Sequence, residues 1–296
     1  TLTGHNSRVM DVAWSPDGTK IATAGADQRI IIWSAIDGAK LYTFYVSGGT
    51  FRSLVWSPDG TKIATASDLD AIVWNAISGT KLFTYKGHTN TVYSVNWSPD
   101  GTKLVTASYD KTASVWSAVD GKKMFDLIGH KSLVLAAEWS PDGTTIVTGC
   151  MDSTVRLWSD IDGSMLQTLK KHVNYVYSVE WSSDGSKLLS ASYDSTAIVW
   201  SATTGNVLCV LRAHTSVLTN AFWSPDDSHI ATLSNDSTVK IWQFNDGVFQ
   251  VDESDSVFRV INSLPASRDI DLRQCLIGTE KDSVIERSIE NTGSIP

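Results

Sequence analysis

Two interleaved series of tryptophans on a fixed rhythm, a turn sequence that follows one of them, and short β-rich runs between turns predict an all-β chain built from one repeated unit. Trp14, Trp56, Trp97, Trp139, Trp181 and Trp223 stand before Ser-Pro-Asp-Gly or a near variant, at steps of 42, 41, 42, 42 and 42 residues. Trp33, Trp74, Trp116, Trp158, Trp200 and Trp242 keep the same rhythm, and the two series use all 12 tryptophans. A period of ~40 to 45 residues with four short strands per unit is that of propeller blades. The expectation is a single seven-bladed β-propeller of four-stranded antiparallel blades over residues 1–296, with six blades plus a tail as the alternative.

The unit is clearest from Gly87 to Trp116. Thr91 to Trp97 is rich in β-branched and aromatic residues, and Ser98-Pro99-Asp100-Gly101 supplies a fixed φ at Pro and a permissive backbone at Gly, so a hairpin turn is expected there. Leu104 to Ser108 alternates apolar and small polar residues, Tyr109-Asp110-Lys111 turns the chain, and Ala113 to Trp116 returns it. Asp120-Gly121 turns it again, and Lys123 to Leu127 is the last strand before Gly129-His130 opens the next unit. No segment carries a helical period.

These residues resemble the WD-repeat family over residues 1 to about 252: the Gly-His openings at Gly4-His5, Gly87-His88 and Gly129-His130, the Trp closing each third strand, and the Asp six residues before it. In that family a His, a Ser or Thr, an Asp and the Trp form a hydrogen-bonded tetrad in each blade. The resemblance implies the sets His5, Thr23, Asp27, Trp33; His88, Thr106, Asp110, Trp116; His130, Thr148, Asp152, Trp158; His172, Ser190, Asp194, Trp200; and His214, Thr232, Asp236, Trp242. A buried carboxylate is tolerable only when its hydrogen bonds are satisfied, and such a network then favours one packing. The second unit departs from the pattern: Ser47 stands where His belongs and the chain is one residue short ahead of Asp68, so Thr65, Asp68 and Trp74 are expected to form an incomplete set in a looser blade. The residue after each third-strand Trp is Ser34, Asn75, Ser117, Ser159, Ser201 or Gln243, never the Asp of the family name, and that position lies outside the tetrad.

Composition bounds the function. A net charge of −8 and a pI near 5.2 weigh against a dominant phosphate-binding role. Cys150, Cys209 and Cys275 are odd in number and unclustered, which reads as buried thiols in a reducing compartment, with no disulfide or metal site. With no signal peptide and no apolar run long enough for a bilayer, the expected place is the cytoplasm or nucleus, away from membranes. The start at Thr1-Leu2-Thr3-Gly4-His5, without an initiator Met, reads as the end of a fourth strand running into a first, and so as a domain trimmed from a larger protein.

Residues 253–296 lose the tryptophans but keep an outline of the unit. Val257 to Ser263 reads as a first strand, Arg273 to Thr279 as a second, and Asp282 stands six residues before Ser288. This degenerate seventh blade is expected to close the ring by pairing with Thr1-Leu2-Thr3, since an open ring would expose sheet edges.

No zinc spacing, Gly-rich phosphate loop or Gly-x-Ser-x-Gly elbow occurs, and no cofactor is expected. Five of the 6 histidines fill tetrad positions; His229, beside a hairpin turn, reads as solvated, and Asp226-Asp227 as turn geometry. The expectation is a non-catalytic scaffold for a protein or peptide. A nucleic-acid-associated propeller, suggested by Arg8, Arg52, Lys131 and Lys171, and a propeller enzyme are the alternatives. The resemblance further implies docking on the face and channel rim built by residues three and five after the tetrad His and the one before the tetrad Asp. Here these include Arg8, Arg52, Tyr93, Tyr109, Leu133, Leu135, Met151, Tyr175, Tyr177 and Tyr193. Interfaces favour Tyr, so apolar or aromatic anchors on the partner, with an acidic group for an Arg to grip, are expected.

Overall fold

A computed structural model describes residues 1–45, 50–245, 248–251 and 258–259. They form six antiparallel sheets, each built on a meander of four strands in chain order with a short fifth strand added in the last, and contain no helix. In the third sheet Val92–Trp97, Lys103–Ser108, Thr112–Ser117 and Lys123–Ile128 follow one another, and Thr106 pairs with both Val95 and Ser114. Each sheet is one blade. The first strands Val9–Trp14, Phe51–Trp56, Val92–Trp97, Val134–Trp139, Val176–Trp181 and Leu218–Trp223 are innermost, and residues from all six line one central cavity.

The core lies between blades. Val105, Ala107, Ala113 and Val115 of blade 3 pack with Val134, Ala137, Trp139 and Ile146 of blade 4, and the same positions meet at the four other blade junctions in chain order. Period-2 alternation supplies this, since a blade buried on both broad faces needs apolar residues on alternate sides of its middle strands.

The turns between first and second strands follow the sequence closely. In blade 1 the Ser15 hydroxyl donates to Asp17 at 2.5 Å, Asp17 accepts from the Thr19 N–H at 3.0 Å, and Gly18 sits at φ 67°. Gly60, Gly101, Gly143 and Gly185 repeat this positive φ, each with its open side toward the proline ring of the preceding blade's turn. Blades 5 and 6 exchange that contact for a polar one. Ser183 replaces the proline and Asp227 the glycine, and the Ser183 N–H and hydroxyl both donate to the Asp227 carboxylate, the latter at 2.6 Å. His229 is half-buried and bonded to Ser228, not solvated, because it opens the second strand of blade 6.

The seventh blade is corrected: the described residues make six blades, followed by a tail. Thr1–Thr3 join no strand. The third strand of blade 6 runs on to Asn245, and Phe258–Arg259 pairs with its beginning, Val239 and Thr238. That is the place taken in blade 3 by Leu127 and Ile128, at the end of the fourth strand. The dipeptide therefore finishes blade 6 instead of starting another, since the long third strand leaves an outer edge that Val248–Val251 covers only in part. The rest of the expected seventh blade, 253–257 and 260–296 with Cys275, lies outside the described residues.

Candidate interaction surface

The loops joining one blade's fourth strand to the next blade's first, and those joining second to third strands, lie at one end of the ring. Five hydrogen-bonded networks hold that end. In blade 3 the Trp116 Nε1–H donates to the Thr106 hydroxyl at 2.8 Å, Thr106 meets His88 Nε2 at 2.7 Å, and His88 Nδ1 meets Asp110 at 2.8 Å. Asp110 also accepts from the Thr89 N–H at 3.0 Å and the Thr112 hydroxyl at 2.6 Å. The same Trp, Thr or Ser, His and Asp chain joins His5, Thr23, Asp27 and Trp33; His130, Thr148, Asp152 and Trp158; His172, Ser190, Asp194 and Trp200; and His214, Thr232, Asp236 and Trp242.

A neutral imidazole closes the chain in one direction: Trp donates to the hydroxyl, the hydroxyl to Nε2, and Nδ1–H to the carboxylate. Burial pushes the imidazoles of His130 and His214 down, against the pull of Asp152 and Asp236. Burial alone would raise the carboxyls, yet bonds from the histidine, the threonine hydroxyl and a backbone N–H outweigh it. They hold Asp110, Asp152 and Asp194 below the usual carboxylate range and Asp236 at about 2. In blade 2 only the Trp74 bond to Thr65 survives, at 2.9 Å, while Asp68 is exposed with φ 40° and its carboxylate accepts from no described residue. Ser47 lies outside the described residues.

Among the described residues one further set of side chains stands close enough for a metal, His130, Cys150 and Asp152, with ligand atoms within 4.8 Å. Each is already engaged. The Cys150 thiol bonds to the Ser132 carbonyl and accepts from the Asp152 N–H at 3.2 Å, just as Ser108 bonds to the Asn90 carbonyl and accepts from the Asp110 N–H. Burial pushes that thiol up to about 12, so Cys150 serves as a buried substitute for serine. Cys209, expected to be buried, is half-buried in the fourth strand of blade 5.

Two backbone devices present the candidate partner-binding residues. First, the N–H of the residue before the tetrad Asp donates to the carbonyl of the residue three after the His: Ala26 to Arg8, Tyr109 to Thr91, Met151 to Leu133, Tyr193 to Tyr175. Second, each innermost strand carries a β-bulge at the same place. Phe51 pairs with Ser67 and Ser53 with Ala66, leaving Arg52 as the extra residue, and Met10, Tyr93, Leu135, Tyr177 and Thr219 are its equivalents. A bulge re-aims one side chain, and here five of the six extra residues line the mouth of the central cavity.

Tyr93 and Tyr109 stack with centroids 5.4 Å apart. Tyr193 lies 5.7 Å from Tyr175 and 5.9 Å from Tyr177. Tyr175 and Tyr193 are exposed, while Tyr93, Tyr109, Tyr177, Leu133 and Met151 are half-buried. Arg8 is exposed and Arg52 half-buried. Leu135 is corrected: at 1% exposure it offers no docking surface, because an apolar side chain shorter than the tyrosines at the same bulge position stays packed in the cavity wall.

Sequence reasoning missed the channel below this rim. Asp11, Asn96, Glu138, Glu180 and Asn220 line a cavity of about 130 Å³. An innermost strand has an edge that its own sheet does not pair, and several of these side chains cap it. Asp11 of blade 1 accepts from the Leu54 N–H of blade 2, Asn96 of blade 3 donates to the Ala137 carbonyl of blade 4 at 2.8 Å, and Glu180 of blade 5 accepts from the Trp223 N–H of blade 6 at 3.2 Å. Their signal in the sequence was a polar residue inside a first strand, recurring with the repeat.

The family model described as WD domain, G-beta repeat matches residues 1–34, 38–75, 79–117, 121–159, 163–201 and 205–243, well over half the chain. The chain belongs to the WD-repeat family. Shorter stretches of this WD-repeat protein are similar to curated relatives. It is 30% identical over 67 residues to Protein HIR1 of Candida albicans, covering 23% of this chain and 7% of that protein. It is 46% identical over 43 residues to Small ribosomal subunit protein RACK1 of Glycine max, covering 14% and 13%. To a chromatin assembly factor 1 component of Mus musculus it is 37% identical over 59 residues, covering 18% and 10%. The matches thus span about a tenth of those relatives. No helix among the described residues is long and apolar enough to cross a membrane.

Proposed function

We propose that this chain is a non-catalytic interaction platform that binds a protein or peptide on the tetrad end of the ring, across the tyrosines of blades 3 and 5 and the channel mouth. The observation that carries this reading is the placement of five tyrosines in two ring clusters beside that mouth, two of them 40% and 41% exposed. Turn geometry alone gives no reason for large aromatic side chains at these places, whereas interface hot spots favour Tyr and exposed apolar patches mark contact sites. The partner we infer carries apolar or aromatic anchors for the tyrosines and an acidic group within reach of half-buried Arg52 or exposed Arg8. Leu133 and Met151, half-buried, hold the same places in blade 4, the repeat between those that carry the two clusters. Two of the relatives are named as parts of larger assemblies, which supports the same reading and places a chromatin-associated or ribosome-associated role among its forms.

Affinity capture from a lysate tests it. The triple substitution Tyr93→Ala, Tyr177→Ala, Tyr193→Ala is expected to abolish recovery of partners while the melting temperature stays close to that of the parent. Undiminished recovery by a folded triple variant would overturn the assignment of this surface.

A further inference from the structure

The second strand opens on Lys20, Lys62, Lys103 and Lys187 in blades 1, 2, 3 and 5 and on His229 in blade 6, but on Thr145 in blade 4. The four lysines are half-buried, at the end of the ring opposite the tetrads. Lys103 crosses to the next blade, where its ammonium meets Asp160 at 2.6 Å and lies 5.6 Å from the centroid of the Trp139 ring. Lys20, Lys62 and Lys187 face the aspartates of their own turns, Asp17, Asp59 and Asp184, at 3.8 to 4.0 Å. Blade 4 keeps the turn aspartate, Asp142, and the next blade keeps the ring, Trp181, but the lysine is missing and Ala202 stands in the place of Asp160. Where the lysine stem would run there is a cavity of about 550 Å³, lined by Asp142, Thr145 and Leu157 of blade 4 and by Trp181, Asp184 and Ala202 of blade 5.

The charge of this cavity is unbalanced. No cation among the described residues pairs with Asp142, which accepts from the Ser140 hydroxyl and from the N–H and hydroxyl of Thr144. Those bonds hold its carboxyl below the usual range, so it is charged at neutral pH. Asp184 on the facing wall adds a second carboxylate, shared with Lys187. Leu157, Leu166 and Ala202 make the remaining wall apolar. An ammonium on a hydrocarbon stem matches both parts, since the stem covers apolar surface while the head reaches a carboxylate or an aromatic face. We propose that the cavity between blades 4 and 5 binds a lysine side chain of a partner protein, its stem along Leu157 and Leu166 and its ammonium at Asp142 and the Trp181 ring, as Lys103 fills the junction between blades 3 and 4. Lysine, never arginine, holds this position in four blades of the chain. The cavity is larger than one side chain and Leu166 at its rim is 58% exposed, which leaves room and apolar surface for the residues beside the lysine and so favours a peptide segment over a free amine. The site lies at the other end of the ring from the tyrosines and does not depend on them.

Titration of the full chain with the peptide acetyl-Leu-Lys-Leu-amide, followed by NMR at the indole N–H signals of the 12 tryptophans, tests this. The Trp181 signal, assigned with Trp181→Phe, is expected to shift saturably, and the same peptide with norleucine in place of lysine is expected to bind about tenfold or more weakly. Thr145→Lys supplies the missing ammonium from within the chain and is expected to abolish the shift with no loss of melting temperature. Asp142→Asn is expected to weaken binding several-fold, which keeps the test open should Thr145→Lys not fold. The triple substitution Tyr93→Ala, Tyr177→Ala, Tyr193→Ala is expected to bind the peptide as the parent does. No saturable shift up to the solubility of the peptide, equal binding of the norleucine peptide, unchanged binding by folded Thr145→Lys or Asp142→Asn, or loss of binding in the tyrosine variant would each overturn the proposal.

Discussion

Blades 3 and 2 share nearly the same strands and turns but differ at one end. In blade 3, Asp110 ties together two loops through His88, Thr112 and the Thr89 N–H, and His88 passes the network down to Thr106 and Trp116. In blade 2 the lower half remains, Trp74 to Thr65, while Asp68 stands exposed in a turn shortened by one residue. Both blades nevertheless bury Thr65 and Thr106 completely, and both pack their middle strands against the next blade. The difference teaches that apolar packing between blades is enough to form the sheet, and that the polar network acts on the loops at its end, where a partner would dock.

The widest separation between the two blades is expected from their aspartates. Asp110→Ala should cost about 2 to 4 kcal/mol, because it leaves the buried His88 N–H and the loop donors without an acceptor in a low-dielectric site. Asp68→Ala should cost clearly less, within about 1 kcal/mol, since an exposed carboxylate leaves nothing stranded. Paired denaturant unfolding curves measure both, and equal losses would break the comparison.

A smaller separation is expected one layer down. Thr106→Val orphans both Trp116 Nε1 and His88 Nε2, whereas Thr65→Val orphans Trp74 Nε1 alone. We expect about 2 kcal/mol in blade 3 and about 1 kcal/mol in blade 2, read from the same curves. Indistinguishable values would mean that the histidine adds little to the network.

The smallest effect is the pH dependence. His130 and His214 are held below the ordinary histidine value, so the unfolded chain binds protons near pH ~6.5 that the folded chain refuses, and their contribution is full above that pH and shrinks as pH falls through it. The lowered carboxyls act in the same direction at lower pH. The stability that they contribute is present above pH ~4 and lost as pH drops toward the folded value of about 2 for Asp236. Blade 2 has no such histidine bonded to its aspartate. Hydrogen exchange at pH 7 and at pH ~5 should therefore show a larger loss of protection in the middle strands of blades 4 and 6 than in those of blade 2. A uniform loss across all three would show that the networks titrate with the fold as a whole.

Much of this was legible along the chain because the signals are local and repeated. The 42-residue rhythm, the Ser-Pro-Asp-Gly turns with Gly at positive φ, the tetrad spacings and the defect at Asp68 all concern residues held in one blade, and a single repeat carries their full pattern. The tyrosines of the rim were legible as well, since their places are counted from the tetrad His and Asp. Other features needed the tertiary structure. Leu135 and Tyr177 hold the same place in their repeats, yet the leucine is buried and the tyrosine keeps part of its ring at the rim. Asp11, Asn96 and Glu180 looked like ordinary strand residues until the ring brought each against the unpaired edge of the next blade.

The sequence by itself determined the blade, because four short strands, three turns and a capping network are settled by contacts within about 42 residues. How the series of blades ends was left to the tertiary structure. Phe258–Arg259 has a strand-like sequence that suits either the start of a new blade or the finish of the old one, and only the free edge beside Thr238 and Val239 chose the second. An unpaired strand edge is a property of a completed sheet, with no trace in the residues that come to cover it.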